Sequence, residues 1–251
     1  MARLDGIIKF TGAIGDLVAY QFNGEWIIRR KSAIPKERIK KDTAFKRTRE
    51  SNQEFGGAST IAKELRRQWN HILIRDKDNT LHHRLNSIIL KMIQAGSGER
   101  GKRQFLWSDM VNDFDPVNLN NAIEPNKYVS ELPKVSLNNN QFTVKFNHLQ
   151  LNIAPKGTTH YKVTVHLNTL NNFEFNTVKN KYIPSTDINE VYVIETPILN
   201  GSEEYNEIIL QPTEVNCAWS VAISLVFYQE TNGEFYPLAE CPFTWQNICA
   251  Y

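Results

Sequence analysis

Nowhere in these 251 residues do apolar side chains run unbroken for the roughly 18 positions a membrane-spanning helix needs. The opening Met-Ala-Arg-Leu-Asp-Gly-Ile-Ile-Lys also lacks the apolar core of a secretion signal and carries Asp5 and Lys9 too early for one. The expected setting is the cytoplasm, or a particle assembled there. Cysteine is scarce. Cys217, Cys241 and Cys249 are odd in number and crowd the C-terminus, which argues against a disulfide framework. Nor do Cys241 and Cys249 have the close pairing of a zinc site, so three reduced thiols packed among strands are expected.

Catalytic signatures are missing too. There is no G-x-S-x-G, no H-E-x-x-H and no recognisable cysteine–histidine nucleophile context. His82 and His83 are adjacent, so on a helix they diverge by about 100°. The other histidines, His71, His148, His160 and His166, show no ligand spacing. Gly96-Ser97-Gly98-Glu99-Arg100-Gly101-Lys102-Arg103 nearly matches a phosphate-binding loop, but Arg103 stands where a magnesium-binding hydroxyl belongs. A helix precedes this run where a strand should, so it reads as a basic turn. The chain is therefore expected not to be an enzyme, with no catalytic residue, cofactor or metal.

What is present is an uneven distribution of charge. The net charge is +2, yet residues 1–103 hold 22 Lys/Arg against 11 Asp/Glu and the remainder holds 7 against 16. The densest cationic stretch contains Arg29, Arg30, Lys31, Lys36, Arg38, Lys40, Lys41, Lys46, Arg47 and Arg49, opposed only by Glu37 and Asp42. These ten cations are the candidate contact residues. They suit phosphates, whose neutralisation releases counterions. They equally suit an acidic protein surface, which the C-terminal half itself supplies. Opposite patches on one chain are what a head-to-tail contact between copies can use.

Periodicity predicts an α+β fold. Residues 6–31 read as a small antiparallel meander, with β-prone Gly6–Thr11, a turn over Gly12–Asp16, and a hairpin closed by Asn23-Gly24, the pair whose backbone suits φ > 0 at both positions. Ser32–Lys41 is expected to be an extended basic connector, because Ile34 precedes Pro35. Asp42 sits as an N-cap. Helix is expected to Phe55, a break at Gly56-Gly57, and a second stretch to about Leu73 with Ile61, Leu65, Trp69, Ile72 and Leu73 on one face. Leu81, Leu85, Ile88, Ile89, Met92 and Ile93 form a second stripe, predicting an antiparallel helical pair. From about Ser136 the period becomes two, through Phe142-Val144-Phe146, Tyr161–Leu167, Val191-Val193, Ile208-Leu210 and the continuous run Val221–Tyr228. Seven or eight such strands predict an antiparallel β-sandwich. The expected division is an arm and connector over 1–41, a helical region over 42–104, a linker over 105–135 and a β-sandwich over 136–251.

Several N-terminal strings are familiar. Gly6-Ile7-Ile8-Lys9, Gly12, Tyr20, Arg29-Arg30-Lys31, Phe45-x-Arg47-Thr48-Arg49-Glu50, Glu54-Phe55-Gly56, Ala62-Lys63-x-Leu65-Arg66 and the Arg100-Gly101 turn together resemble a family of uncharacterised Bacteroidota proteins. The resemblance covers about residues 5–105. It implies a bacterial source and carries over no activity or catalytic residue. The whole reading is of a non-enzymatic structural subunit that self-associates through its arm and its complementary faces into a tube, filament or phage-tail-like assembly. The alternative is a nucleic-acid-binding protein using residues 29–49.

Overall fold

In a computed structural model, the described residues are 2–3, 9–70, 78–110, 117–121, 124–128, 133–138, 141–146, 154–200, 207–213, 217–238 and 244–249. They form an α+β fold in two units, residues 1–49 and 50–251.

The first unit is a four-stranded antiparallel sheet followed by a short helical passage. The strands are β1 (Ala2–Arg3), β2 (Gly12–Ile14), β3 (Leu17–Phe22) and β4 (Glu25–Arg30), in the order β1-β4-β3-β2. Asn23 and Gly24 close the β3–β4 hairpin with φ of 50° and 81°, as the Asn-Gly pair predicted. Gly12–Ile14, expected as a turn, is a strand, and the turn is confined to Gly15-Asp16. The β-prone Gly6–Ile8 lies outside the described residues.

The connector is not extended throughout. Lys36–Lys41 forms helix α1, and the Pro35 carbonyl accepts from the amides of Arg38 and Ile39. Proline restrains Ile34 before it, but its own φ of −62° suits a helix start, and Lys-Glu-Arg-Ile-Lys-Lys is made of helix-tolerant residues. Each helical residue advances about 1.5 Å where an extended one advances about 3.3 Å, so the connector reaches less far than its length suggests. Asp42 caps the 3-10 turn Thr43–Phe45 by accepting from the Ala44 amide. That bond and the Arg38 guanidinium hold its carboxyl below the ordinary range.

Helix α2 runs unbroken from Lys46 to Gln68. The expected break at Gly56-Gly57 does not occur, and the reason is tertiary. A Cβ on Gly57 would stand 2.5 Å from the Tyr182 ring, whereas one on Gly56 would meet nothing. Helix α3 (Leu81–Ala95) buries Leu81, Leu85, Ile89, Met92 and Ile93 against Ala58, Ile61, Ala62, Leu65 and Trp69, so the two stripes form the expected helical pair. The continuation past Asn70 toward Leu73 lies outside the described residues. The loop before α3 is held by Asp78. Burial pushes its carboxyl up, but bonds from the Thr80 hydroxyl and amide, the Asn121 amide and Arg84 outweigh that and hold it far below the ordinary range.

The remaining helices are single turns, α4 (Trp107–Met110) and α5 (Pro125–Tyr128). The strands are β5 (Lys134–Asn138), β6 (Gln141–Lys145), β7 (His160–Leu170), β8 (Phe173–Asn176), β9 (Lys181–Pro184), β10 (Val191–Glu195), β11 (Leu199–Asn200), β12 (Glu207–Leu210), β13 (Ala218–Thr231), β14 (Glu234–Pro237) and β15 (Thr244–Cys249). The large sheet has the order β10-β7-β13-β14, with β11 on β7 and β15 on β13; β12-β6-β5 makes a second sheet and β8-β9 a hairpin. One face of β7 and β13 presents Val163, Val165, Leu167, Trp219, Val221, Ile223 and Phe227 to Phe142, Val144 and Ile208 of the small sheet, which is the sandwich. Their other face carries smaller residues. Ala218 and Ala222 join the helices' apolar cluster, and the Trp69 indole donates to the Ser220 hydroxyl at 2.8 Å.

The helical region and the sandwich, expected as separate domains, thus share one central sheet. The expected linker also contributes to the core. Phe105 bridges Phe173 in both directions, and Phe105, Trp107 and Leu119 are buried, an outcome fixed by distant partners that local patterning does not show. Cys217 is buried. The two glycines make a paired prediction. Gly57→Ala should cost about 1–3 kcal/mol through overpacking on Tyr182. Gly56→Ala should stabilise by about 0.5–1 kcal/mol through helix propensity. Urea midpoints of both variants check this; equal stabilisation would show that Tyr182 does not press on the helix.

Candidate interaction surface

The arm sheet is a single layer. Register places Ile14, Leu17, Ala19, Trp26 and Ile28 on one face and Val18, Tyr20, Phe22 and Ile27 on the other. Among its described residues only Ala19 is buried. Ile14 is 62% exposed, Leu17 43% and Phe22 57%. Helix α1 contributes no buried residue. Val18, Tyr20, Trp26, Ile27 and Ile28 are half-buried, so each face carries apolar residues that are only partly covered.

The ten candidate cations divide by what holds them. Arg29 lies over the Tyr20 ring at 5.9 Å on the Phe22 face. Arg30 reaches Asp16 from the opposite face, at 3.8 Å. Arg38 pairs with Asp42 at 3.0 Å and Lys40 with Glu37 at 3.2 Å. Such exposed pairs add little, because solvent screens the charges and the long side chains lose freedom in pairing. Arg49 donates to the carbonyls of Ile39 and Asp42 at 2.8 and 2.7 Å, capping the end of α1 where a cation also suits the helix dipole. Lys46 and Arg47 are exposed near the start of α2 and engaged in their surroundings. Lys31, Lys36 and Lys41 are exposed and make no ion pair among the described residues. The structure thus uses Arg49 to organise the basic segment and leaves the lysines at its surface.

The string that ends in Glu50 and Glu54 has a different role. Both carboxylates are buried, Glu54 to 1% exposure. Glu54 Oε1 accepts from the Gly101 amide at 2.9 Å and from Arg103 at 2.6 Å, while Arg100 approaches Glu50 at 3.9 Å and donates to the Ser51 hydroxyl at 3.0 Å. Gly101 has φ of +89°, and a Cβ there would meet Gln53 at 2.7 Å and the Glu50 backbone at 3.0 Å. The run that resembles a phosphate loop is therefore a clasp holding the end of α3 to the start of α2. The sequence showed the two carboxylates one turn apart but not their burial, which depends on a loop 47 residues away. Glu54 Oε2 and the Tyr182 hydroxyl remain without hydrogen-bond partners. Burial, reinforced by the Glu54 charge, pushes Tyr182 up to about 12, against a smaller opposing pull from Arg103.

Other chemistry is sparse. A cavity of about 10 Å³ lies between the two sheets, lined only by apolar side chains including Phe142, Val165, Ile194 and Val221. An apolar space this size stays dry and is too small for a ligand. The His82 and His83 rings do not diverge as expected; their centroids are 3.8 Å apart. Among the described residues no three His, Cys, Asp or Glu side chains gather as a metal site, and no helix is long and apolar enough to cross a membrane. The chain matches no family model, no curated protein and no solved structure.

The clasp is open to a direct test. Glu54→Gln leaves Arg103 without its buried carboxylate and should destabilise the fold by about 3 kcal/mol. An unfolding free energy, from urea denaturation, within about 0.5 kcal/mol of wild type, the scale of an ordinary surface change, would contradict a buried pair.

Proposed function

We propose that this protein is a non-enzymatic structural subunit that associates with further copies of itself through its N-terminal arm, building a tube, filament or phage-tail-like assembly. The observation that carries this reading is the incomplete cover of the arm sheet. A sheet needs at least one apolar face packed to be stable, and among the described residues of this one Ala19 is buried while Ile14 and Leu17 on one face and Phe22 on the other stay exposed. Covering it with another subunit supplies the missing layer.

Charge supports the same reading. Residues 1–49 hold 12 Lys/Arg and 5 Asp/Glu, whereas residues 50–251 hold 17 and 22. Opposite signs on one chain steer copies together head to tail and set register more than they add affinity. One arrangement favours the nucleic-acid alternative: exposed Phe22 shares a face with the Arg29–Tyr20 pair, as a stacking surface for bases would require. The pairing of Arg30, Arg38, Lys40 and Arg49 within their own unit reduces what remains for phosphates.

Sedimentation velocity of the full chain tests the proposal. Association should grow with concentration and weaken as salt rises, and Leu17→Asp should shift the protein toward monomer while preserving its circular dichroism. A chain that stays monomeric at high concentration and low salt would overturn self-association. A mobility shift of single-stranded DNA or RNA by that monomer would favour the alternative.

A further inference from the structure

The large sheet ends at β10, and that edge is open among the described residues. Its hydrogen-bond phase is fixed by two flanking bonds. Thr169 donates to the Glu190 carbonyl at 3.0 Å, and Thr196 donates to the Val163 carbonyl at 2.9 Å. In an antiparallel ladder the residues alternate. Tyr192 and Ile194 therefore turn their backbone groups to β7, and Val191, Val193 and Glu195 turn theirs outward. The same valines are 49% and 50% exposed. Natural edges are usually blunted by lysine, proline or a bulge. None of the first two occurs within Val191–Glu195. At the other end of the sheet, β14 contains Pro237, and Phe235 rests edge-on against His160.

Among the described residues, the arm sheet has a matching edge in β2. It is joined to β3 by the two-residue turn Gly15-Asp16, which makes Ile14 and Leu17 the hydrogen-bonded pair and leaves Ala13 facing outward. Strand β2 is uncharged and lies beside exposed Ile14 and Leu17, an apolar match for Val191 and Val193. Around this apolar centre the signs are opposite. Asp187 and Glu190 precede β10 and Glu195 ends it. The arm carries the cationic excess.

We infer that β10 of one copy receives β2 of a second copy by antiparallel or parallel strand addition, joining the arm sheet of one subunit to the central sheet of the next. The three residues of β2 would cover the centre of the five-residue β10. This rests on the self-association proposed above and adds an edge contact, in the plane of the sheet, to the covering of its faces. Donor and acceptor are different parts of the chain, so the contact is heterologous and propagates.

Two full-length variants separate the halves of the contact. Val193→Pro removes an outward amide that the fold itself does not use. Ala13→Pro does the same on β2. Each alone should lose self-association by at least tenfold in sedimentation. An equimolar mixture should form dimers and nothing larger, because each variant retains the half the other lacks. Val193→Lys and Ala13→Lys give the same readout should circular dichroism show that a proline variant is unfolded. A mixture that stays monomeric, or either variant assembling like wild type, overturns the β10–β2 contact while wild-type association keeps the broader reading. Wild-type protein that never associates overturns both.

Discussion

A β-sheet has two faces, and the largest part of this protein is organised by covering both. Strands β7 and β13 pair along the whole of β7, from Leu170 opposite Ala218 to His160 opposite Tyr228. Large residues such as Trp219, Ile223 and Phe227 point into the sandwich, while Ala218, Ser220 and Ala222 leave room for the helical pair. The helices could not approach so closely over bulky side chains. Trp69 fills the space instead and satisfies its indole on Ser220. The arm sheet leaves Leu17 exposed on one face and Phe22 on the other, and that contrast carries the functional reading.

The helical pair depends in turn on the clasp at Glu54. A buried ion pair is a weak source of net stability, because desolvating both charges offsets most of their attraction. Its consequence is positional. Glu54 has one loop amide and one guanidinium to accept from, and Gly101 alone fits the backbone that presents them. Gly57, less than one turn further along α2, lets the Tyr182 ring close over the same region. Several residues quoted for the N-terminal resemblance, Glu50, Glu54, Arg100 and Gly101, are therefore accounted for by architecture.

Much of the architecture was legible because local chemistry decides it. Asn23-Gly24 announces a hairpin through its φ preference, and the stripes of Ile61–Trp69 and Leu81–Ile93 announce two helices through spacing. Where distant partners decide, the pattern misleads. Gly56-Gly57 reads as a helix break until Tyr182 explains it, and Phe105, Trp107 and Leu119 look unpatterned because their neighbours lie far along the chain. Pro35 was misleading in a local way, since it both extends Ile34 and opens α1. At the candidate surface, the excess of cations was visible but not the use of Arg49 as a helix cap. Val191 and Val193 alternate as a strand should, yet nothing in alternation distinguishes an open edge from a paired one.

The central claim is that the arm sheet obtains its second layer from another copy. Hydrogen exchange read by mass spectrometry at low and high protein concentration addresses it most directly. The account predicts that amides of residues 12–30 exchange readily in dilute protein and become protected as concentration rises, while those of β7 and β13 stay protected throughout. Strong protection of residues 12–30 that does not change with concentration would contradict it, because the sheet would then be stable without a partner.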